Sequence, residues 1–188
     1  MTADKLIPVK MKKDDMNRAD VQAFRCGLKP HEKPLAEWIK VHSTAAIAGG
    51  NKVWLYRLQN SDGPLVGYGS LATGKIEMIE EDNSKKLVKV YEIPMLALHE
   101  DYWGCPKGVA DPEEKYSRQI VRHLQQETRA AQLRGQRERL LALYVHPDAV
   151  EAQKLYLDCG FTFAPGRFLP DPEIPPPDLG LLGMDFVW

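Results

Sequence analysis

The most constraining feature of the sequence is a nearly continuous apolar run from Ile93 to Leu98, which ends a strand pattern that begins at Lys85. A strand that is apolar at successive residues fits a central position in a sheet, where both of its faces are covered. Pro94 lies within the run and has no N–H group to donate, so it interrupts the hydrogen-bonded ladder. The sequence therefore predicts a sheet that is covered on both faces at this strand.

Strand and helix patterns alternate over the rest of the chain. The polar sequence Asn60-Ser61-Asp62-Gly63 lies between two β-rich runs and predicts a hairpin. The further predicted strands are Lys5 to Lys10, Val53 to Leu58, Leu65 to Leu71, Leu140 to Val145, Phe161 to Phe163 and Met184 to Trp188. Helical spacing predicts helices from Pro34 to the Gly49-Gly50 pair, over Tyr116 to Gln132 and over Ala149 to Cys159. This alternation predicts a single α/β domain.

The helix predicted over Tyr116 to Gln132 is amphipathic. The residues expected on its buried face are Val121, Leu124, Thr128 and Ala131, and those expected towards solvent are Arg118, Arg122, Gln125 and Arg129. Near the C-terminus, prolines are concentrated at about 164–178, between the last two predicted strands. We interpret this stretch as an extended insertion within one domain, 1–188, because it separates two strands of the same predicted sheet.

Composition and charge exclude several classes of protein. Lys and Arg number 25 and Asp and Glu 26, so the formal net charge is −1 and gives no sign of a strong nucleic-acid field. The N-terminus has no apolar stretch of signal-peptide length, and no apolar run is long enough to span a membrane. The cysteines, Cys26, Cys105 and Cys159, are widely and irregularly spaced. We therefore expect a cytoplasmic protein with no membrane segment, disulfide framework or metal.

The segment Ala152-Gln153-Lys154-Leu155-Tyr156-Leu157-Asp158-Cys159-Gly160-Phe161 matches the pattern A-x-x-[FL]-Y-x-x-x-G-F. This pattern and the order of the predicted elements resemble the GNAT superfamily of acyl-coenzyme A N-acyltransferases. Leu96-Ala97-Leu98 resembles the LAV sequence of that family's fourth strand, and Val66 to Leu71 fits its third strand. The resemblance extends over roughly Phe24 to Phe163 and implies the GNAT fold, a mixed and mostly antiparallel central sheet flanked by helices.

The first third of the chain resembles one GNAT subgroup in particular. Phe24-Arg25-Cys26-Gly27, followed by Leu35 and Trp38-Ile39, is similar to an F-x-C-G…L-x-x-W-L opening found in a subgroup that includes toxins acetylating aminoacyl-tRNA. The family resemblance implies transfer of an acetyl group from acetyl-CoA to a primary amine of a small molecule, peptide or protein. Aminoacyl-tRNA is the alternative acceptor, although the near-zero net charge does not favour RNA. A homodimer is compatible with either function.

In the family, a loop of pattern Q/R-x-x-G-x-G/A follows the fourth strand, opens the long helix and binds the CoA pyrophosphate. Here Cys105 to Ala110 keeps the G-x-A ending, with Cys105 in place of Gln or Arg, and five further residues precede the helix. We prefer this alignment to an alternative that places the motif on Pro112 to Ser117, because the alternative has Lys115 where the first glycine belongs. The resemblance implies that CoA is bound by the backbone of the strand and loop residues Leu96, Ala97, Leu98, Lys107, Gly108, Val109 and Ala110, together with Ser117. Because the loop departs from the family pattern, a GNAT-fold protein that binds CoA without catalysis is a further alternative.

Acetyl transfer to an amine also needs a proton donor for the departing thiolate. A phenol is protonated at neutral pH, and the family resemblance gives this role of general acid to Tyr156. Candidates for a base that deprotonates the amine are Glu92, His99, Glu77 and Glu80, and the sequence does not choose between them. No histidine accompanies Cys105 in the local sequence, so we expect direct attack by the amine rather than a covalent acyl-enzyme.

Overall fold

The computed structural model describes residues 5–27, 29, 32–79, 84–105, 115–134, 140–163 and 182–187, without the side chains of 76–79, 182, 183 and 185–187. The described strands are β1 (Leu6–Lys10), β2 (Lys52–Leu58), β3 (Leu65–Ile79), β4 (Lys85–Ile93), β5 (Leu96–Leu98), β6 (Leu140–Val145), β7 (Thr162–Phe163) and β8 (Leu182–Val187). The described helices are α1 (Ala19–Gln22), α2 (Lys33–Val41), α3 (Ser43–Ala48), α4 (Tyr116–Leu133) and α5 (Val150–Asp158), with short 3-10 helices at Lys13–Asn17 and Glu100–Tyr102. The predicted helix over Tyr116 to Gln132 and the predicted strand Leu140 to Val145 are confirmed.

The chain divides into two compact units, each built from two stretches of sequence. The first unit comprises Met1–Leu71 and Met95–Leu124, and the second comprises Ala72–Pro94 and Gln125–Trp188. Strand β3 and helix α4 therefore each contribute residues to both units. The single domain over 1–188 stays a prediction, and its proline-rich insertion at about 164–178 lies outside the described residues.

The first unit contains an antiparallel sheet in the order β1-β2-β3-β5. On one face, Leu55 of β2 and Tyr68 of β3 pack with Phe24 and with Ile39 of α2 in a buried cluster. On the other face, the Tyr56 hydroxyl lies 2.9 Å from Nδ1 of His123 on α4. Because neighbouring residues of a strand point to opposite faces, β2 contributes to both layers. Helices therefore cover both faces of this sheet.

The second unit contains strands in the order β3-β4-β6-β8-β7, with β3 contributing from Ala72 onwards. Strands β4 and β6 are parallel, and every other described pair is antiparallel. Val90 of β4 packs with Leu140 and Ala142 of β6 in a buried cluster on one face. The mixed, mostly antiparallel sheet implied by the family resemblance is confirmed. Within the described parts of the chain, no helix has the length and apolar character needed to cross a bilayer.

The strand predicted from Lys85 to Leu98 is divided into β4 and β5. Ala72 lies opposite Glu92, and Gly69 lies opposite Leu96, so β3 advances three residues while the opposite strand advances four. The additional residue forms a bulge at the Pro94 interruption. The expected burial of the whole run from Ile93 to Leu98 is wrong, because Pro94 is exposed and Ala97 is the one buried residue of β5.

Two helix predictions also need correction. The helix predicted from Pro34 to the Gly49-Gly50 pair is two helices, α2 and α3, and the Ser43 hydroxyl at their junction donates to the Ile39 carbonyl at 2.7 Å, a bond that bends helices. The solvent position predicted for Gln125 is wrong. Gln125 is buried, and its Nε2 donates to the Cys159 carbonyl at 2.9 Å in place of water. The four residues predicted on the apolar face of α4 are all buried.

Candidate active site

Strand β5 has one edge paired with β3 and one outer edge. His99 N donates to Val66 O at 2.7 Å, and Ser70 N donates to Met95 O at 2.9 Å. Since hydrogen-bonded residues alternate along an antiparallel pair, Ala97 directs its backbone groups towards β3. The N–H and C=O groups of Leu96 and Leu98 therefore point away from β3. Of the three residues predicted to hold the pantetheine arm of CoA, Leu96 and Leu98 have backbone groups on the outer edge.

Side chains from two other segments contact the outer edge at Leu98. The Trp103 indole Nε1 donates to the Leu98 carbonyl at 3.0 Å. The Leu98 N–H group is hydrogen-bonded to the Cys26 thiol. Burial raises the pKa of this thiol to about 11, with Glu32 and Glu100 adding to the rise and the bond from Leu98 opposing it, so Cys26 is a neutral thiol at pH 7. The sequence analysis assigns neither residue to CoA binding, although Cys26 lies in the Phe24 to Gly27 segment that carries the family resemblance.

Gly67 on β3 lies where β5 and α4 approach this strand closely. A Cβ atom built on Gly67, which lies opposite Leu98, would be 2.5 Å from the Ala97 carbonyl oxygen and 3.0 Å from Ile120 Cδ1 of α4. A side chain at this position would overlap the backbone of β5. Gly67 is therefore required for the close approach of β5 to β3 and α4.

Helix α4 begins at Tyr116, whose N–H group donates to the Cys105 carbonyl at 3.0 Å. This backbone hydrogen bond holds the start of α4 beside the residues that follow β5. Ser117 is half-buried in the first turn of α4, where backbone N–H groups lack helical partners. The predicted pyrophosphate-binding residues Lys107, Gly108, Val109 and Ala110 lie outside the described residues.

Tyr156 lies in the second unit, on α5, and is 8% exposed. Its ring contacts that of Phe161 edge to face, with centroids 5.8 Å apart. Its carbonyl accepts from the N–H groups of Cys159 and Phe161, each at 3.0 Å. Gly160 permits this tight turn because its φ of 88° lies in the left-handed region. The Y-x-x-x-G-F motif therefore fixes the backbone of Tyr156 through the turn and its ring through the contact with Phe161.

Glu92 is the base candidate whose surroundings are best defined. Its carboxylate lies over the Cα atom of Gly74 on β3, since a Cβ atom built on Gly74 would collide with Oε1 and lie 2.5 Å from Cδ. Burial raises the pKa of the half-buried Tyr144 phenol, and the Glu92 carboxylate adds to that rise. Glu92 therefore lies close to both Gly74 and Tyr144, near the end of the β4–β6 ladder at Ile93.

The described contacts do not indicate a catalytic role for the other base candidates, His99, Glu77 and Glu80. His99 belongs to the first unit, where its ring packs edge to face on Phe24 at 5.4 Å and its Nδ1 accepts from Asp101 N at 3.3 Å. These contacts are those of a residue that holds a turn in place. The side chain of Glu77 and all of Glu80 lie outside the described residues.

A cavity of about 440 Å³ in the first unit lies against the Phe24-Arg25-Cys26-Gly27 segment. Helix α2 and the 3-10 helix after β5 complete its lining with Lys33, Ala36, Glu37, Lys40 and Glu100. The guanidinium Nε of Arg25 lies 3.0 Å from the Glu100 carboxylate. The cavity therefore combines an apolar part with charges of both signs. In the described parts of the chain, no group of three or more His, Cys, Asp or Glu side chains is arranged to hold a metal ion.

No protein-family model and no curated protein sequence matches the chain. Solved structures do resemble it along nearly its whole length. A mutant of the AtaT toxin bound to the C-terminus of the antitoxin AtaR and acetyl-CoA has a TM-score of 0.66 at 16% identity, over 98% of this chain and 94% of that chain. The chain has the GNAT fold. AtaT complexed with acetyl-methionyl-tRNAfMet gives 0.64 at 15% identity, over 97% and 95% of the two chains. A mutant of KacT gives 0.62 at 16% identity, over 95% and 94%.

The GNAT fold accounts for the pairing seen around β5. The family resemblance implies that this strand separates from the next one and exposes backbone groups to the pantetheine arm. In the structure, β5 pairs with β3, and the pairing of β4 with β6 stops at Ile93.

Proposed function

We propose that the chain is an N-acetyltransferase that transfers an acetyl group from acetyl-CoA to a primary amine. The observation that carries the proposal is the similarity to AtaT, which has been solved with acetyl-CoA bound and which matches 98% of this chain. At the level of residues, the proposal is supported by the outward backbone groups of Leu96 and Leu98 and by the anchored Tyr156.

The proposed binding site for CoA comprises a strand edge and a helix start. The amide groups of the pantetheine arm pair with the outer edge of β5, as an added strand would. The phosphates lie at the start of α4, where the helix dipole favours anions. Because α4 starts at Tyr116, Ser117 lies in its first turn, which supports the alignment of the phosphate motif on Pro112 to Ser117. The loop residues Lys107, Gly108, Val109 and Ala110 remain proposed contributors.

The proposed chemistry uses Glu92 as general base and Tyr156 as general acid. Glu92 accepts a proton from the acceptor ammonium, directly or through water, and the neutral amine attacks the carbonyl carbon of the thioester. The C–S bond breaks as the carbonyl re-forms, and the CoA thiolate takes its proton from Tyr156. The attacking nitrogen, which still carries an extra proton, passes it directly or through water to the Tyr156 phenolate, and Glu92 releases its proton to solvent. We select Glu92 because Gly74 and Tyr144 fix its surroundings, and because its carboxylate has the acceptor capacity that this role needs.

The α-amine of an aminoacyl-tRNA is the second candidate acceptor. It is supported by the similarity to AtaT complexed with acetyl-methionyl-tRNAfMet and by the toxin-like opening of the sequence. The net charge of −1 does not provide a strong overall field for RNA, so binding would depend on local cations. Lys33 and Lys40 at the cavity on α2, and the exposed Arg129 and Arg134 on and after α4, are such cations.

The proposal is tested in two steps. Calorimetric titration with acetyl-CoA measures binding, and the release of free CoA thiol measures transfer to a panel of amines. The panel contains small amines, peptides with free N-termini, and aminoacyl-tRNA compared with the same tRNA uncharged. Thiol release with aminoacyl-tRNA alone would establish the second candidate. Binding without release for every acceptor would indicate a CoA-binding protein without catalysis, and the absence of acetyl-CoA binding would refute the proposal.

A further inference from the structure

We propose that Trp103 competes with the pantetheine arm of acyl-CoA for the Leu98 carbonyl, so that displacement of its indole sets the affinity of the chain for acyl-CoA. This inference rests on the proposed function, because it assumes that CoA binds at the outer edge of β5. Trp103 precedes the phosphate-binding motif placed on Cys105 to Ala110, so that motif gives it no role in ligand binding.

The first step of the argument concerns the direction of the Leu98 carbonyl. The bonds from His99 to Val66 and from Ser70 to Met95 place Leu98 between two bonded positions of the ladder. Its carbonyl therefore points away from β3, towards the edge where a pantetheine amide N–H would donate. The Trp103 Nε1–H group donates to this same oxygen at 3.0 Å. An indole N–H and a secondary amide N–H are chemically equivalent donors for this position.

The second step concerns the space beside the carbonyl, because a carbonyl oxygen has two lone pairs and can accept two donors. The Trp103 ring lies directly against Gly27, whose missing side chain leaves room for it, since a Cβ atom there would overlap Cη2 of the indole. The ring therefore fills the gap between Gly27 and the outer edge of β5. A pantetheine arm that runs along this edge meets the ring itself, so competition is steric as well as polar.

The third step concerns how firmly Trp103 is held. The Trp103 side chain is 44% exposed. The backbone N–H group of Trp103 donates to the Glu100 carbonyl at 3.3 Å, which is a long hydrogen bond. Gly104 follows with a φ of 71° and with no heavy atom near its Cβ position. The indole can therefore leave the edge by rotating about its own side-chain bonds, without moving a packed element. Its departure forfeits one neutral hydrogen bond, which corresponds to about a five-fold change in an equilibrium constant.

The experiment measures the dissociation constant of acetyl-CoA by calorimetry for the wild-type chain and for Trp103→Phe, which keeps an aromatic ring but removes the donor. We expect Trp103→Phe to bind acetyl-CoA about five-fold more tightly. The matched control is Trp38→Phe, because Trp38 stacks on Tyr68 with ring centroids 5.6 Å apart, in the packed cluster rather than at the β5 edge. Trp38→Phe should leave the dissociation constant unchanged once circular dichroism shows that it is folded.

Two further measurements isolate the pantetheine arm. Adenosine 3′,5′-bisphosphate carries phosphates but no pantetheine arm, so its affinity should be the same for wild type and Trp103→Phe. Acetyl-CoA should also change the tryptophan fluorescence of the wild type and not that of Trp103→Phe. Equal acetyl-CoA affinity of the two chains, or an equal fluorescence change, would overturn the role of Trp103 while leaving the proposed function intact. Failure of both chains to bind acetyl-CoA would instead overturn the proposed function and this inference with it.

Discussion

Replacing Gly67 with alanine tests whether β5 is held against β3 by the absence of a side chain. The added Cβ would lie 2.5 Å from the Ala97 carbonyl oxygen and 3.0 Å from Ile120 Cδ1. The first of these atoms is backbone, which cannot rotate away as the end of a side chain can, so β5 has to shift. Overpacking of this kind costs about 1–3 kcal/mol, and we expect the upper half of that range. For a chain of this length, the melting temperature should fall by roughly 5–10 °C.

Gly69→Ala is the matched control, because Gly69 lies on the same strand and the same face. Its added Cβ would meet Leu124 Cδ1 at 3.0 Å and Tyr56 Cε2 at 3.5 Å, and both atoms belong to side chains. A small rotation of Leu124 relieves the contact. The alanine also restricts the unfolded chain, which is worth about 0.4–1 kcal/mol in the opposite direction. We therefore expect a net change below about 1 kcal/mol for Gly69→Ala.

The assay combines urea denaturation followed by circular dichroism with calorimetric titration of acetyl-CoA. Gly67→Ala should lose affinity as well as stability, because Gly67 lies opposite Leu98 and a shift of β5 moves the outer edge. Gly69→Ala should retain both properties. The reasoning about close approach is wrong if the two variants have equal stability. The proposed binding edge is wrong if Gly67→Ala loses stability but keeps the acetyl-CoA affinity of wild type at temperatures where it is folded.

Three further predictions concern the second unit and the first helix. Tyr156→Phe should lower kcat by about 10²–10⁴-fold and leave the acetyl-CoA dissociation constant unchanged, because only the proton donor is lost. Gly74→Ala should lower kcat at least about ten-fold by displacing the Glu92 carboxylate, and should have no further effect in a Glu92→Gln chain. Asp20→Asn should cost roughly 2 kcal/mol in urea denaturation, because it leaves the buried Arg57 guanidinium without its carboxylate, although Asp20 is partly solvated.

Each of these predictions has a control or a contrary outcome. Full activity of Tyr156→Phe excludes Tyr156 as the general acid. Gly49→Ala is the control for Gly74→Ala, since its Cβ meets nothing closer than 3.4 Å. An additive loss of kcat in the Gly74→Ala, Glu92→Gln double variant would show that Gly74 acts on another group. For Asp20, the control is Asp62→Asn, whose carboxylate is 84% exposed.

The pH dependence of the Asp20 contribution follows from the direction of its shift. Burial raises the pKa of Asp20, but the hydrogen bonds and charges of Arg57 and Arg18 outweigh burial and lower it below 3.8. A lowered pKa in the folded state means that the stabilisation is present above the unfolded value and is lost as the pH falls through the folded value. The stability difference between wild type and Asp20→Asn should therefore be constant from pH 5 to 7 and shrink below about pH 3.8. A difference that is the same at pH 3 and pH 7 would contradict this assignment.

Local patterns in the sequence were sufficient for most of the secondary structure. The apolar spacing of α4 predicts its buried residues because a helix repeats within its own length, without reference to other segments. Gln125 does not follow this rule because its partner, the Cys159 carbonyl, is provided by a distant segment. The bulge near Pro94 also depends on a distant segment. The proline predicts that the strand is interrupted, but only the pairing with β3 shows that one residue is inserted.

In the candidate site too, contacts between residues close in sequence could be predicted, and contacts between distant segments could not. The turn at Gly160 and the ring of Phe161 anchor Tyr156 within a few residues, so a sequence motif is enough to predict its local surroundings, and its role as general acid stays a prediction. The surroundings of Glu92 could not be predicted, because Gly74 comes beside it only through the register of β3 and β4. A signal was nevertheless present, since a glycine within a strand pattern indicates close approach of another group.

The register of β5 determines at once which side chains pack and which carbonyl groups can meet a ligand. With the bulge, Ala97 turns its side chain into the cluster around Phe24, and Leu98 turns its carbonyl to the outer edge. Without the extra residue, these directions would be exchanged, because side chains and hydrogen-bonding groups alternate together along a strand. Substituting the side chains at 96–98 therefore tests packing. Ligand binding is tested by substituting Gly67, which allows β5 to lie close to β3, and Trp103, which covers the outer edge of β5.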